Sequence, residues 1–342
     1  MRGGSFVTTS AVSIVVTGRN DNYGGDFNER LFTALRFNYE RLTERGVECE
    51  VIFVEWNPIP DRPTLSELLA REFPDLTAQA LRPFVVAPEY HEPFTQNPQL
   101  GYLEFVAKNV GIRRASSPFV LVTNSDVFMG REVVDAIATG NIAPGTIYRA
   151  ARYDLKMGAD RSHLAWDALE DPANHVRRPV LQPPLFTGGS GDFMLADRDT
   201  FHSLRGYSEV YRVARAGVDV NFLVKAHGAG VPITDIGGPV FHFNHVGSFR
   251  ISKGRPDEDR SNTTWGQRWH CHDVVYNNPD GWGLADAPAR QLSNGVTYLD
   301  FDWLAVPPLV ELRRVVLPVR QAHAEPIKQR HAAGKILTQR SQ

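Results

Sequence analysis

The order strand, helix, strand at the start of the chain constrains the fold more than any other feature of the sequence. The run at residues 11–17 (AVSIVVT) is rich in β-branched residues and ends at Gly18, which is typical of a buried parallel strand. Between Asp26 and Gly46 the apolar residues have helical spacing, and a second apolar run at residues 50–56 follows at once. Such short connections predict a parallel sheet with right-handed crossovers.

The same alternation of apolar runs and helical segments continues along the chain. Further helices are predicted at residues 64–73, 102–114, 199–204 and 219–227. Further strands are predicted at residues 83–87, 118–123, 146–151, 193–196, 232–236 and 240–244. Residues 154–184 are rich in polar residues and proline, so they are predicted to form loops. These patterns predict an α/β protein with a mostly parallel sheet flanked by helices.

Composition narrows the class of protein. The chain has 342 residues, of which 42% are hydrophobic and 22% are charged, as expected for a globular protein with a substantial core. Its formal net charge of -2 provides no basic field over the whole molecule, so nucleic acid is not an expected partner. The two cysteines, Cys49 and Cys271, are too few for a disulfide framework or a four-cysteine zinc site.

The distribution of apolar and basic residues bears on location. Residues 1–10 lack the apolar stretch of a signal peptide, and no run of about 18 apolar residues occurs. A cytoplasmic location is therefore expected. Residues 307–342 are predominantly basic among their charged side chains. Such a stretch forms either a solvated helix, which is the favoured interpretation, or a weak peripheral contact at the inner membrane face.

Polar residues directly follow three of the predicted strands. In an open parallel sheet, ligands bind beyond the carboxyl ends of the strands, so these residues are expected to surround one crevice. They are Thr17, Arg19 and Asn20 after the first strand, Glu55 at the end of the second, and Asn124, Ser125 and Asp126 after the strand at 118–123. Asp126 is either a turn or capping residue or, as we favour, a ligand for a hard divalent cation that also binds a diphosphate.

Four residues in the second half of the chain are further candidates. Asp192 ends the glycine-rich segment TGGSGD, which either approaches a ligand closely or is a flexible loop before a strand. Asp219 begins a helical segment, where it is either an N-cap or a general base. His242 and His245 lie at the end of the strand VFHFNH, where they are either core residues or ligands that complete a metal shell.

The segment at residues 265–282 is rich in tryptophan and histidine. Its sequence HCHD, from His270 to Asp273, does not have the spacing of a standard zinc site, so zinc binding is not favoured. Exposed tryptophans in this segment are expected to stack on sugars. The loop after the first strand, GRNDNYGGD, contains neither the GxGxxG turn of a dehydrogenase nor a P-loop.

Taken in order, these segments resemble the GT-A glycosyltransferases, particularly the family-2-like group, over about residues 13–244. SIVVTGRNDN is similar to the donor-binding loop, EVIFVEWNP to the second strand with its base-contacting acid, and LEFVAKNVGIRRASSPFVLVTNSDVFM to the helix and strand that precede the metal motif. FTGGSGDFMLADRDTFHSLRGYSE resembles the acceptor-side segment, GVDVNFLVKAHGAG the catalytic acid with its helix, and VFHFNH the late metal-binding histidine. The resemblance implies a Rossmann-like GT-A fold.

The resemblance also implies roles for individual residues. Thr17, Arg19 and Asn20 would contact the nucleotide or diphosphate together with Asn124 and Ser125, and Glu55 would contact the base. Asp126, with His242 or His245, would bind Mn²⁺ or Mg²⁺. Asp219 would deprotonate the acceptor hydroxyl, and Asp192 would orient sugar hydroxyls. The chain departs from the family pattern at Asn124-Ser125-Asp126, which has one acid where two are usual, and at Val218-Asp219, where Glu-Asp is usual.

The implied function is transfer of a sugar from a nucleotide-diphosphate donor, with UDP preferred, to a hydroxyl of a glycan or glycoconjugate, with inversion. The implied division is a catalytic domain over residues 1–306 and an extension over residues 307–342. A nucleotide-binding half at about 11–130 precedes an acceptor-side half at about 146–300. The alternatives are a retaining glycosyltransferase on the same fold and a non-catalytic carbohydrate-binding protein. A nucleotidyltransferase is disfavoured, because the first loop lacks lysine.

Overall fold

The computed structural model describes residues 11–95, 100–156, 164–189, 191–210, 217–245, 274–275, 277–307 and 315–316. The helices within these ranges are α1 (Phe27–Thr43), α2 (Leu65–Glu72), α3 (Pro74–Gln79), α4 (His91–Phe94), α5 (Glu104–Arg114), α6 (Arg131–Ala138), α7 (Trp166–Glu170), α8 (Arg198–Ser203) and α9 (Val218–Gly228). The strands are β1 (Ala11–Gly18), β2 (Glu48–Trp56), β3 (Leu81–Val86), β4 (Phe119–Thr123), β5 (Val127–Met129), β6 (Ile147–Leu155), β7 (His175–Arg177), β8 (Phe193–Asp197), β9 (Ile233–Phe243), β10 (Val274–Val275), β11 (Ala289–Gln291), β12 (Thr297–Leu299) and β13 (Val315–Val316).

One large sheet organises these elements. Its strand order is β11-β12-β3-β2-β1-β4-β8-β6-β9-β5, with β7 paired to β6. The strands β12, β3, β2, β1 and β4 are parallel neighbours, as are β6 and β9. In contrast, β8 is antiparallel to both of its neighbours, and β5 is antiparallel to β9. The prediction of an α/β fold built on parallel strands and flanking helices is confirmed.

The sheet separates two hydrophobic cores. Alternate residues of β1 enter opposite cores, since Val15 packs with α5 and α9 while Ile14 and Val16 pack with α1 and α6. This alternation follows from the period of two in a strand, and it requires the strand to be apolar on both faces. The continuous apolar run that predicted β1 therefore reflects burial between two helical layers.

The structure has elements that were not predicted, among them α3, β5, β11 and β12, and it changes two of the predicted segments. A single strand, β9, replaces the two predicted at 232–236 and 240–244, because Gly237 and Gly238 let the backbone continue close to α6. A Cβ atom at Gly238 would lie 2.7 Å from Glu132 Cβ and 3.1 Å from the Val133 nitrogen. The segment 154–184, predicted as loop, begins inside β6 and contains α7 and β7. Pairing with β9 extends β6 as far as Leu155.

The carboxyl ends of the parallel strands β1, β2, β3, β12 and β4 lie along one edge of the sheet. The segments that follow these strands, at residues 19–26, 57–64, 87–95 and 124–126, therefore lie on the same side of the molecule. No helix among the described residues has the length and apolar composition needed to cross a membrane. Most of residues 307–342 lies outside the described ranges, as do His270, Cys271, His272 and Asp273.

Candidate active site

A carboxylate and two imidazoles meet beside the carboxyl end of β4. Ligand atoms of Asp126, His242 and His245 all lie within 4.8 Å of one another, and all three residues are buried. Asp126 Oδ2 lies 3.3 Å from His245 Nε2 and 3.7 Å from His242 Nε2. The pairing of β5 with β9 produces this meeting, since it places His242 opposite Val127, the residue after Asp126. The structure thus brings both predicted histidines to the predicted aspartate.

A second carboxylate orients His242 from behind. Asp154 Oδ1 lies 3.2 Å from His242 Nδ1, and the register between β6 and β9 places these residues opposite each other. Burial favours a higher pKa for Asp154, but the hydrogen bond from His242 and the charge of Arg152 lower its pKa overall. With Nδ1 held by Asp154, Nε2 faces Asp126, which is the arrangement of a metal-binding histidine with its supporting carboxylate. The sequence pattern did not indicate Asp154 as a site residue, because residues 154–184 were predicted to form loops.

Replacement of Asp154 by asparagine is expected to weaken metal binding by about 10- to 100-fold, because the neutral amide lacks the negative charge that makes His242 a stronger ligand. Isothermal titration of Mn²⁺ into the protein with UDP present measures this change. Asp167→Asn is the matched control, because the Asp167 side chain is 91% exposed on α7. Equal Mn²⁺ affinity in the Asp154 and Asp167 variants would contradict the orienting role.

Arg30 adds a positive charge to the cluster. Its side chain has no exposed surface, and its guanidinium bonds directly to Asp126 Oδ2. Burial alone favours a higher pKa for Asp126, but His242, His245 and Arg30 together hold that pKa well below its usual range. Asp126 is therefore a carboxylate at any physiological pH, as a metal ligand must be.

An open crevice adjoins this cluster along the carboxyl edge of the sheet. The space within it, including its open mouth, is about 510 Å³. Its lining includes Thr17, Gly18, Arg19, Asp21, Tyr23, Phe27, Tyr102, Glu104, Asn124, Ser125 and Asp126. Five of the residues predicted to bind the donor or the metal therefore line one crevice: Thr17, Arg19, Asn124, Ser125 and Asp126. This is expected for residues that follow neighbouring parallel strands.

Two side chains are fixed at the wall of this crevice. Thr17 Oγ1 accepts a 2.6 Å hydrogen bond from the Tyr102 hydroxyl. Arg19 Nε donates to the Asn57 carbonyl at 2.8 Å, and its Nη1 lies 3.7 Å from Asp21 Oδ2. The wall therefore presents a hydroxyl and a held guanidinium, which suit an anionic ligand.

Asn20 and Glu55 do not line the crevice. Asn20 accepts a hydrogen bond from the Ile59 nitrogen at 2.6 Å and donates to the Pro63 carbonyl, so it braces the loop before α2. Glu55 is fully buried and accepts from the Ser66 nitrogen at 2.9 Å, at the amino end of α2. Their contact with a donor remains a prediction, and the partners seen here are structural.

The pKa of Glu55 predicts a pH dependence of folding stability that can be tested. Burial is the main cause that raises its pKa to about 7. A carboxyl with a raised folded-state pKa stabilises the fold at low pH, and this contribution is lost as pH rises through about 7. Glu55→Gln is expected to remove up to about 3 kcal/mol of pH dependence between pH 4.5 and 7. Urea unfolding at a series of pH values measures this slope.

The same variant separates the structural role of Glu55 from donor recognition. Because Glu55 is enclosed, UDP affinity in Glu55→Gln is expected to stay close to that of the wild type. A large loss of UDP affinity with an unchanged pH slope would instead assign Glu55 to the nucleobase.

A polar network extends from the crevice to Asp192 and Arg152. Asp192 Oδ1 accepts from Asn124 Nδ2 at 2.8 Å, and its Oδ2 lies 3.1 Å from Arg152 Nη1. Arg152 also contacts Asp154, since Arg152 Nε lies 3.0 Å from Asp154 Oδ1. Asp192 is buried, so its immediate partners are protein groups, and direct contact with a sugar stays a prediction.

Lys108 and Glu104 of α5 complete this network, and neither of them was predicted to be a site residue. Lys108 Nζ donates to Glu104 Oε1 at 2.6 Å, to Asn124 Oδ1 at 2.7 Å and to the Gly191 carbonyl at 2.9 Å. Lys108 is fully buried, whereas Glu104 lines the crevice. The helical sequence around Lys108 gave no local signal, because two of its three partners, Asn124 and Gly191, lie in loops that are distant in sequence.

Asp219 lies beside Lys108 and Glu104. A Cβ atom built on Gly191 would lie 3.8 Å from Asp219 Oδ2, 3.8 Å from Lys108 Nζ and 3.9 Å from Glu104 Oε1. Gly217 is the N-cap of α9, so Asp219 is the second residue of the helix and not its cap. Burial raises the pKa of Asp219 even though Lys108 and Arg149 act to lower it. A carboxylate with a raised pKa is a stronger base.

The tryptophan prediction needs a correction. Trp282 is 1% exposed and packs against His202 with ring centroids 5.4 Å apart, so it belongs to the core and is not available to stack on a sugar. In the same segment, Asn278 Nδ2 donates hydrogen bonds to the carbonyls of Arg205 and Tyr207. Trp265 and Trp269 lie outside the described residues.

No protein-family model matches the chain, and no curated protein matches it. Among solved structures, the chain is similar to the catalytic domain of Drosophila beta1,4-galactosyltransferase 7 in complex with xylobiose, at 14% identity and a TM-score of 0.39, covering 86% of this chain and 96% of that one. A mutant of the same enzyme with manganese, UDP-Gal and xylobiose gives 14% identity and a TM-score of 0.40, with the same coverage.

A third solved structure, GalNAc-T7 with UDP, GalNAc and Mn²⁺, shows 12% identity and a TM-score of 0.46, covering 70% of this chain and 45% of that one. The identities and TM-scores of these three similarities are low. A function for this chain therefore has to be argued from the residues of its own site.

Proposed function

We propose that this chain is a metal-dependent glycosyltransferase that moves a sugar from a nucleoside diphosphate donor to a hydroxyl of a glycan or glycoconjugate. The observation that supports this most is the Asp126–His242–His245 cluster at the carboxyl edge of the sheet. It adjoins a crevice whose wall presents Thr17 and Arg19. UDP is the nucleotide that the sequence resemblance implies.

The donor set fits a divalent transition metal. One carboxylate and two imidazoles leave several positions for diphosphate oxygens and water, and the two nitrogens favour Mn²⁺ over Mg²⁺, which prefers oxygen ligands. When bound, such an ion would neutralise charge that develops on the leaving diphosphate. Asp154 would hold His242 in place, and Arg19 would add a fixed positive charge from the other wall.

The acceptor hydroxyl is proposed to bind beside Gly191, where Asp219 also lies. Asp219 would accept its proton as the oxygen attacks the anomeric carbon, which leads to inversion. Glu104 and Lys108 place one negative and one positive charge beside Asp219, so they set the field in which that proton moves. Asn124 spans both halves of the site, since it bonds to Lys108 and to Asp192.

The alternatives make different predictions. A retaining enzyme would share the donor and metal residues but would not depend on Asp219 as a base. A non-catalytic carbohydrate-binding protein would bind glycan without turning over a donor. The stereochemistry of the product separates the two enzymes, and donor turnover separates both of them from the binding protein.

Thermal unfolding with a panel of nucleoside diphosphates, each with and without Mn²⁺, tests the proposed function. A ligand that binds only the folded state stabilises it, by about 2.7 kcal/mol at 100 times its dissociation constant. We expect stabilisation by one diphosphate, strengthened by Mn²⁺. Absence of any response across the panel would contradict the proposed donor site and leave the carbohydrate-binding alternative.

A further inference from the structure

Arg30 places a permanent positive charge on the oxygen that the metal would use. Its Nη1 bonds to Asp126 Oδ2, and the same oxygen is 3.3 Å from His245 Nε2 and 3.7 Å from His242 Nε2. A guanidinium and two imidazoles therefore converge on one carboxylate oxygen. Arginine cannot lose its proton in a protein, so this charge is present at every pH.

The surrounding structure prevents Arg30 from moving away. Its Nε donates to Asp26 Oδ1 at 2.7 Å, and its Nη2 donates to the Tyr23 carbonyl. The backbone of Gly24 closes over the group, because a Cβ atom there would lie 2.5 Å from both Arg30 Nη2 and His245 Nδ1. The guanidinium also lies 5.6 Å from the centre of the Phe27 ring. Arg30 is thus fixed from several sides.

The charges at the cluster decide how strongly it attracts a cation. Asp126 is the one carboxylate among the three proposed ligands, and the guanidinium of Arg30 on its Oδ2 offsets the negative charge that Asp126 would offer a cation. Asp26 pairs with Nε of the same guanidinium. A divalent cation at this position would also be repelled by the guanidinium a few ångströms away. A nucleoside diphosphate brings several negative charges and oxygen ligands, so its binding would reverse the balance.

We infer that Arg30 makes metal binding conditional on the nucleotide diphosphate: the protein binds the divalent cation weakly alone and strongly together with the diphosphate. This inference rests on the proposed function for its ligand, and it adds that metal and donor enter as interdependent ligands. Arg30 is a positioning residue in this role, since it acts on the metal through Asp126.

The test measures Mn²⁺ affinity, by electron paramagnetic resonance of free Mn²⁺, with and without UDP. The association of Mn²⁺ with UDP in the absence of protein is measured separately and subtracted. We expect the wild type to bind Mn²⁺ at least about 100-fold more tightly with UDP than without it. Arg30→Gln, which keeps hydrogen-bond donors but removes the charge, is expected to bind Mn²⁺ alone about 10- to 100-fold more tightly than the wild type.

Two controls isolate the charge. Arg30→Lys keeps the positive charge and is expected to bind Mn²⁺ alone as weakly as the wild type. Arg36→Gln removes an arginine from the same helix whose side chain is 53% exposed, and it is expected to change nothing. No gain in Arg30→Gln, or an equal gain in Arg30→Lys, would overturn the inference.

A measurement on the wild type alone keeps the inference testable if the Arg30 variants do not fold. Mn²⁺ affinity is compared in the presence of uridine, UMP and UDP, and it is expected to rise with the number of phosphates. Equal Mn²⁺ affinity with uridine and UDP would overturn the role of the diphosphate charge. Absence of Mn²⁺ binding even with UDP would contradict the proposed function itself, which distinguishes the two failures.

Discussion

Replacement of Asp126 by alanine is expected to abolish the Mn²⁺-dependent part of UDP binding and to lower sugar transfer by roughly 10³-fold or more. Asp126 is the only carboxylate in the buried triad, and both histidines face its Oδ2. Without it, a cation would meet two imidazoles and the positive charge of Arg30.

The measurement is the thermal stabilisation of each variant by UDP with and without Mn²⁺, compared with the same variant without ligand. That comparison is needed because the loss of Asp126 also leaves Arg30 without its buried partner, which lowers the stability of the fold by itself. Asp126→Asn is the second variant, since it keeps the shape and removes the charge. Mn²⁺-dependent stabilisation that survives in both variants would refute the metal site.

Replacement of Asp219 by asparagine is expected to lower kcat by roughly 10²- to 10⁴-fold while UDP and Mn²⁺ bind as in the wild type. Asp219 lies beside Gly191 and is not one of the three clustered ligands, so it should affect proton removal and not donor affinity. Asp199→Asn is the matched control, because Asp199 is an exposed aspartate in the first turn of α8.

The pH dependence gives this prediction a second readout. A base must be deprotonated to act, and burial raises the pKa of Asp219. Wild-type kcat is therefore expected to fall, as pH is lowered, at a higher pH than an ordinary aspartate would cause, and Asp219→Asn should lack this fall. Unchanged kcat in Asp219→Asn, or a product with retained anomeric configuration, would favour the retaining alternative.

Local sequence patterns were sufficient to predict the residues proposed to bind the metal. The apolar run that became β4 is followed at once by Asn124, Ser125 and Asp126, and strand topology alone places such residues at the ligand edge. The strand that ends near His242 and His245 was also visible as an apolar run. These residues could be predicted from the sequence because the period of a strand and the position where it ends depend only on neighbouring residues.

Local patterns were insufficient for the residues that support the site. Asp154 faces His242 only because β6 and β9 pair in one register, and Lys108 meets Asn124 only because α5 packs against the loop after β4. Arg30 appeared as an ordinary helical residue, and nothing near it in sequence indicates Asp126, 96 positions away.

The chain's own sequence therefore determined the α/β class, the main strands and helices of the first half, and the placement of Asp126 at a ligand edge. These depend on apolar periodicity and on where each run stops, which neighbouring residues specify. Only the tertiary structure decided that Glu55 and Asn20 turn inward, that Arg152 lies between Asp154 and Asp192, and that Arg30 shares Asp126 with the histidines. These contacts depend on strand register and helix packing between distant segments, which local sequence does not encode.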